Sequence, residues 1–149
     1  MEGQLYIIIR TPNSGAENIL SLGLNKDQEN QVSLCLLPGS EPSSNLPFLT
    51  WCMQGEEIQI ENPKQLVAHE WFLFLSNELD LADQIEASLA LLNKNPQLNL
   101  CRILSFIDSH LIGPDNFTSW IDGAAHFSDA ICFSNRTNKN GALVSQLIE

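Results

Sequence analysis

Leu5-Tyr6-Ile7-Ile8-Ile9, running directly into Arg10-Thr11-Pro12-Asn13-Ser14-Gly15 and then into residues 16 to 22, is the stretch that decides the fold. Five consecutive apolar or aromatic residues without polar alternation predict a strand buried on both faces, as in a parallel sheet covered by helices. The Pro-Asn-Ser-Gly cluster behind it predicts a turn, and Ala16 to Leu22 a short helix.

Working outward, the same alternation recurs. Residues 32 to 37 (VSLCLL), 71 to 75 (WFLFL), 100 to 107 (LCRILSFI) and 130 to 133 (AICF) predict further buried strands. Residues 48 to 52 and 57 to 60 read as short extended pieces, and 63 to 69 as a short helix. Residues 82 to 92 place Ile85, Leu89 and Leu92 on one helical stripe, with Asn95-Pro96 as the stop. Helices are also expected over about 116 to 128 and at 141 to 148. Residues 38 to 47 (PGSEPSSNLP), with three prolines and three serines, predict an exposed loop. The fold class is therefore α/β, a mostly parallel sheet flanked by helices in one domain spanning 1–149.

Composition restricts the partners. Eighteen acidic residues against seven basic ones give a formal charge of −11, a field that repels phosphodiester backbones and anionic headgroups. Neither nucleic acid nor a membrane is expected as partner. No apolar run approaches the roughly 20 residues of a bilayer span, and the opening MEGQ lacks a secretory signature, so a cytoplasmic protein is expected. Cys35, Cys52, Cys101 and Cys132 are widely spaced, three of them in apolar runs, and are expected as free core thiols. The Asn-x-Ser/Thr triplets at Asn116 and Asn135 are then chance matches.

In an open parallel sheet, ligands bind at the carboxyl ends of the strands, which directs attention to the turns after residues 9, 75, 107 and 134. The first turn stands where a phosphate-binding loop would, with the pattern Gly, four residues, Gly, Lys, Ser/Thr. Those positions read Arg10, Gly15, Ala16 and Glu17. Only the second glycine is kept. A carboxylate at Glu17 in the first helical turn competes with phosphate for the helix dipole. A like charge about 4 Å away costs roughly 4 kcal/mol at an effective dielectric of 20.

Residues 71 to 138 carry three further segments in order: FLFLSNELDLADQIEASLALL, LCRILSFIDSHL and HFSDAICFSNRTN. Together these resemble the CobW-type metallochaperone GTPases, relatives of the urease and hydrogenase accessory GTPases. Aligned on Leu81-Ala82-Asp83, with Gln84 over the family proline, the resemblance places Asn77 over the family's acidic residue and Asp80 over its glycine. Asp108 falls on the terminal Asp of the Val-Asp-Ala strand, and Asn135, Arg136, Thr137 and Asn138 fall over the base-recognition motif. Asn138 replaces the Asp that accepts two hydrogen bonds from guanine, so guanine selectivity is expected to be lost. Cys52 matches the first cysteine of the family's Cys-x-Cys-Cys metal site, whose other positions are Met53 and Gln54; one thiolate cannot hold zinc.

The resemblance implies a P-loop NTPase-like three-layer sandwich lacking the family's last strand, with the strand at 130 to 134 or a neighbour left as an open edge. It implies a catalytically inactive pseudo-GTPase with no cofactor, acting through a protein partner or a second copy of itself. The alternative is a module taking a nucleotide or other small ligand at the same strand ends in a changed mode. Asp80, Asp83 and Asp108 are candidates for a divalent-cation site or for simple helix caps. His69, His110 and His126 are expected at the surface or in caps, and Trp51, Trp71 and Trp120 as core or interface anchors.

Overall fold

The computed structural model describes residues 3–24, 33–39, 47–61, 69–112, 115–137, 141, 144 and 145. The expected helix at 63 to 69 and most of the expected loop at 38 to 47 lie outside these residues, as does Asn138. Among the described residues seven strands are formed: β1 (Gly3–Arg10), β2 (Ser33–Leu37), β3 (Phe48–Gln54), β4 (Glu57–Ile60), β5 (Glu70–Phe74), β6 (Leu98–Asp108) and β7 (Ala130–Ser134). The helices among the described residues are α1 (Ala16–Leu24), α2 (Leu81–Lys94) and α3 (Asp115–Phe127), with a 3-10 turn at Ser109–Leu111. Gly141, Val144 and Ser145, within the expected last helix, are also helical.

The strand order is β4-β3-β2-β5-β1-β6-β7, parallel throughout except for the β3/β4 hairpin. Strand β1 lies inside the sheet between β5 and β6 and, like β5, is dry on both sides: Leu5, Ile7, Ile8 and Ile9 are all buried. Alternate residues feed two cores. Leu5, Ile7 and Ile9 pack with Ile85 and Ala87 of α2 and Ala124 of α3. Ile8 packs with Phe72, Phe74, Phe106 and Ala16, the first residue of α1. Each such side chain contributes about 1.5–3 kcal/mol when fully buried.

Two sequence expectations need correction. Leu89, assigned to the inner stripe of α2, is 44% exposed. The face turned inward instead carries Gln84, Ile85, Ala87 and Ser88, because two polar side chains there satisfy themselves on backbone carbonyls and so tolerate burial. The four cysteines are free thiols, but only Cys35 is in the core; Cys52, Cys101 and Cys132 are exposed. Cys52 and Cys132 stand on strands at or next to a sheet edge, and Cys101 stands where the β1/β6 register shifts between Leu5 and Tyr6. A strand next to the edge lacks the covering layer that apolarity alone implies.

Candidate functional site

The chain leaves β1 for α1 on one face of the sheet and leaves neighbouring β5 for α2 on the other. Loops that diverge in this way open a crevice at the carboxyl ends of the strands. A cleft of about 740 Å³ lies there, lined by residues 10–18, 38–39 and 75–78.

Its floor is an ion pair. The guanidinium of Arg10 stacks 4.5 Å from the centre of the Phe74 ring and its Nη1 donates to Glu17 Oε2 at 2.9 Å. The Glu17 side chain is only 3% exposed and that of Arg10 20%. The structure therefore modifies the sequence reading of Glu17. The carboxylate does stand in the first turn of α1, yet its charge is compensated by Arg10 and it is tucked against the sheet instead of facing an incoming phosphate. Beside it, the Cys35 thiol is pushed up to about 12, by burial first and then by the Glu17 charge, with Arg10 opposing. This thiol stays protonated and unreactive. Arg10 is the only lysine or arginine in the described lining.

Ala16, aligned with the missing lysine, is a buried core residue. The turn before it needs left-handed backbone twice, at Asn13 (φ 60°) and Gly15 (φ 72°), the residue types that adopt it at least cost. Ser14 between them is 3% exposed.

The second wall, residues 75–78, is held by a residue that the sequence reading marked only as the replacement of the family proline. Gln84 is wholly buried. Its Oε1 accepts from the Ser76 N–H at 2.6 Å, and its Nε2 donates to the carbonyls of Ser76 (2.8 Å), Leu79 (3.2 Å) and Asp80 (3.3 Å). One side chain thus replaces the backbone hydrogen bonds that this loop cannot make to itself. Asp80 caps α2, its carboxylate accepting from the Asp83 N–H at 3.0 Å. Asn77 lines the cleft and is exposed.

The third cluster ties β1, β6 and β7 together. Thr11 Oγ1 accepts from the Asp108 N–H at 2.7 Å. Asp108 Oδ1 accepts from Asn135 Nδ2 at 3.0 Å and from the His110 N–H at 3.1 Å. Asn135 Nδ2 also donates to the Asn13 carbonyl at 3.2 Å. Asn135, flagged for base recognition, is here a clasp on the first turn. Burial would raise the pKa of Asp108, but the hydrogen bonds from Asn135 and His110 and the nearby imidazole outweigh it, so the net shift is downward. A carboxyl whose folded pKa is depressed stabilises the fold above its ordinary value near 4, and that stability is lost as the pH falls through the lower folded pKa. Asp108→Asn is accordingly expected to flatten the acid limb of a stability–pH curve below about pH 4, measured by denaturant unfolding across pH.

The structure brings Arg10, Gly15, Ala16, Glu17 and Asn77 to the cleft. Asp80, Asp83 and Asp108 do not converge: the first caps α2 and the last caps the 3-10 turn. Among the described residues no group of three or more His, Cys, Asp or Glu could hold a metal ion, and Cys52 stands alone on β3. His69, His110 and His126 are exposed. Trp51 and Trp71 are core residues and Trp120 packs against the core. No helix of the described residues is long and apolar enough to cross a membrane. Neither a protein-family model nor a curated protein matches the sequence.

Proposed function

We propose that this chain is a catalytically silent, P-loop-like α/β domain, a cytoplasmic pseudo-GTPase that acts by binding protein. The Arg10–Glu17 pair carries this reading. Where a phosphate-binding loop presents a lysine and a magnesium-binding hydroxyl, this chain has buried Ala16 and a carboxylate already bonded to Arg10 at 2.9 Å. Phosphate would have to compete with that carboxylate for Arg10 while gaining no lysine. The described lining also offers no histidine or cysteine as base or nucleophile.

GTP, GDP and ATP, each with magnesium, are expected to leave the melting temperature unchanged, and GTP turnover is expected at background. A ligand at a hundred times its dissociation constant adds about 2.7 kcal/mol, roughly 5 to 10 °C for a domain of this size. GTP hydrolysis abolished by changes within residues 10–18 sinks the proposal.

The cleft itself favours one further reading. Its volume of about 740 Å³ lies within the small-molecule range, and its walls are pinned by Gln84 and by the Asp108–Asn135 clasp. A small polar ligand bound without turnover fits that geometry. A rise in melting temperature with a ligand that is not hydrolysed separates this reading from the first.

A further inference from the structure

Helix α1 leaves unused the cap that its sequence offers. Ser14-Gly15-Ala16-Glu17 has the Ser-x-x-Glu spacing of a capping box, in which the serine hydroxyl accepts from a backbone N–H of the first turn and the glutamate reaches back to the serine N–H. Here the Glu17 carboxylate is bonded to Arg10 and the Ser14 N–H donates to the Thr11 carbonyl. The helix begins one residue later, its first bond running from the Ile19 N–H to the Gly15 carbonyl at 2.9 Å. The N–H groups of Ala16 and Asn18 stand before that bond and have no carbonyl of their own helix to meet, and Gly15 brings no side chain to cap them.

Ser14 supplies the second observation. Its side chain makes no hydrogen bond among the described residues, although the residue is only 3% exposed. Its hydroxyl is nevertheless not sealed in, since the unbonded side-chain oxygen that is sealed from solvent among the described residues belongs to Ser109. The Ser14 hydroxyl therefore opens into the cleft that Ser14, Ala16 and Asn18 line together.

We infer that this end of the cleft is a carboxylate site, where the Ser14 hydroxyl and the N–H groups of Ala16 and Asn18 hold the carboxylate of a small organic acid. The inference rests on the second reading above, a small polar ligand bound without turnover, and names that ligand's charged end. All three groups can donate, so their complement is an acceptor oxygen carrying negative charge, which the dipole of α1 also favours. Charge limits which anion enters. Glu17 stands in the first turn of α1 and Glu78 on the second wall, and the guanidinium of Arg10 is already bonded to Glu17. A phosphate brings more than one negative charge to that setting at neutral pH, a carboxylate one. The side chains of Asn13, Ser76 and Asn77 in the same lining are neutral hydrogen-bonding groups, suited to hydroxyls on the rest of the acid.

The test is a titration of the full, nitrogen-15-labelled chain with sodium acetate, lactate and glycerate, with sodium chloride holding the ionic strength constant and glycerol and inorganic phosphate as comparisons. Saturable shifts of the Ala16 and Asn18 amide signals are expected with at least one of the three acids, and with neither glycerol nor phosphate. Ser14→Ala is expected to weaken that acid about tenfold, the loss of one hydrogen bond to a charged group, while leaving the thermal midpoint unchanged, because the hydroxyl has no partner in the protein to lose. No saturable shift with any of the acids overturns the inference, as does undiminished affinity in Ser14→Ala or phosphate binding as tightly as the acid. Glycerol alone raising the melting temperature would preserve the small-ligand reading and defeat only the carboxylate site.

Discussion

Gln84→Ala is expected to destabilise the domain by about 4 kcal/mol, adding a lost buried hydrogen-bond network to the cavity it leaves. For a chain of this length that lowers the thermal midpoint by roughly 10 °C. The size of the effect follows from what the side chain holds. Its oxygen is the acceptor for the Ser76 N–H, and its amide nitrogen serves three carbonyls over residues 76–80. Remove it, and the part-buried Ser76 N–H loses its partner, at up to about 1–3 kcal/mol. Gln84→Leu fills the same space and Gln84→Glu keeps an oxygen; neither can donate to the carbonyls at neutral pH, so neither is expected to restore stability. Thermal unfolding checks the magnitude, and hydrogen exchange should show faster opening confined to residues 76–80. Wild-type stability in Gln84→Leu would show that packing, not hydrogen bonding, holds the second wall of the cleft.

The second large effect is expected at the floor. Arg10→Ala removes the guanidinium from beside a Glu17 carboxylate whose side chain is 3% exposed. Breaking one side of a buried pair costs about 3–5 kcal/mol, and the partial exposure of Arg10 argues for the lower end. The loss has a pH signature. Without its cation, burial favours the protonated form of Glu17, so the folded variant holds a proton that the unfolded chain releases, and its stability falls as the pH rises. Relative to wild type, Arg10→Ala should therefore recover as the solution is acidified. The double variant Arg10→Leu/Glu17→Leu, which removes both charges, is expected to regain a large part of the loss at neutral pH. Denaturant midpoints at several pH values measure both effects. A pH-independent deficit in Arg10→Ala would assign the effect to the lost stacking on Phe74 instead.

Much of the sheet is legible in sequence because buried parallel strands announce themselves as apolar runs: 5–9 lies on β1 and 71–74 on β5, both buried, whereas 100–107 lies on β6 although Arg102 and Ser105 interrupt it and its first three residues are exposed. The C-terminal turns were found for the same reason, since topology places any cleft at the ends of those runs. What escaped depends on partners distant in the chain. Gln84 looks like an ordinary helix-surface residue until Ser76 and Leu79 fold back over it. Trp51 reaches across β2 to donate to the Phe74 carbonyl at 2.9 Å, and no local pattern reports this. Glu17 reads as a charge facing a ligand until Arg10, one helical turn and a loop away, is seen to claim it. Hydropathy misassigned Leu89 and the exposed cysteines because it records how apolar a residue is, not whether a neighbouring layer exists to cover it.

The position of β1 inside the sheet also constrains the order in which the sheet can form. Strand β1 is flanked by β5 and β6, both later in the chain, so Gln4 has to wait for Glu70 on one side and Asn99 on the other. Leu-Tyr-Ile-Ile-Ile gains its first neighbour about 60 residues further along the chain, in β5, and its second only in β6. Loop closures of this span are slow, and an unpaired apolar strand is aggregation-prone while it waits. The hydrogen bonding of β1 is therefore completed only once β6 has formed.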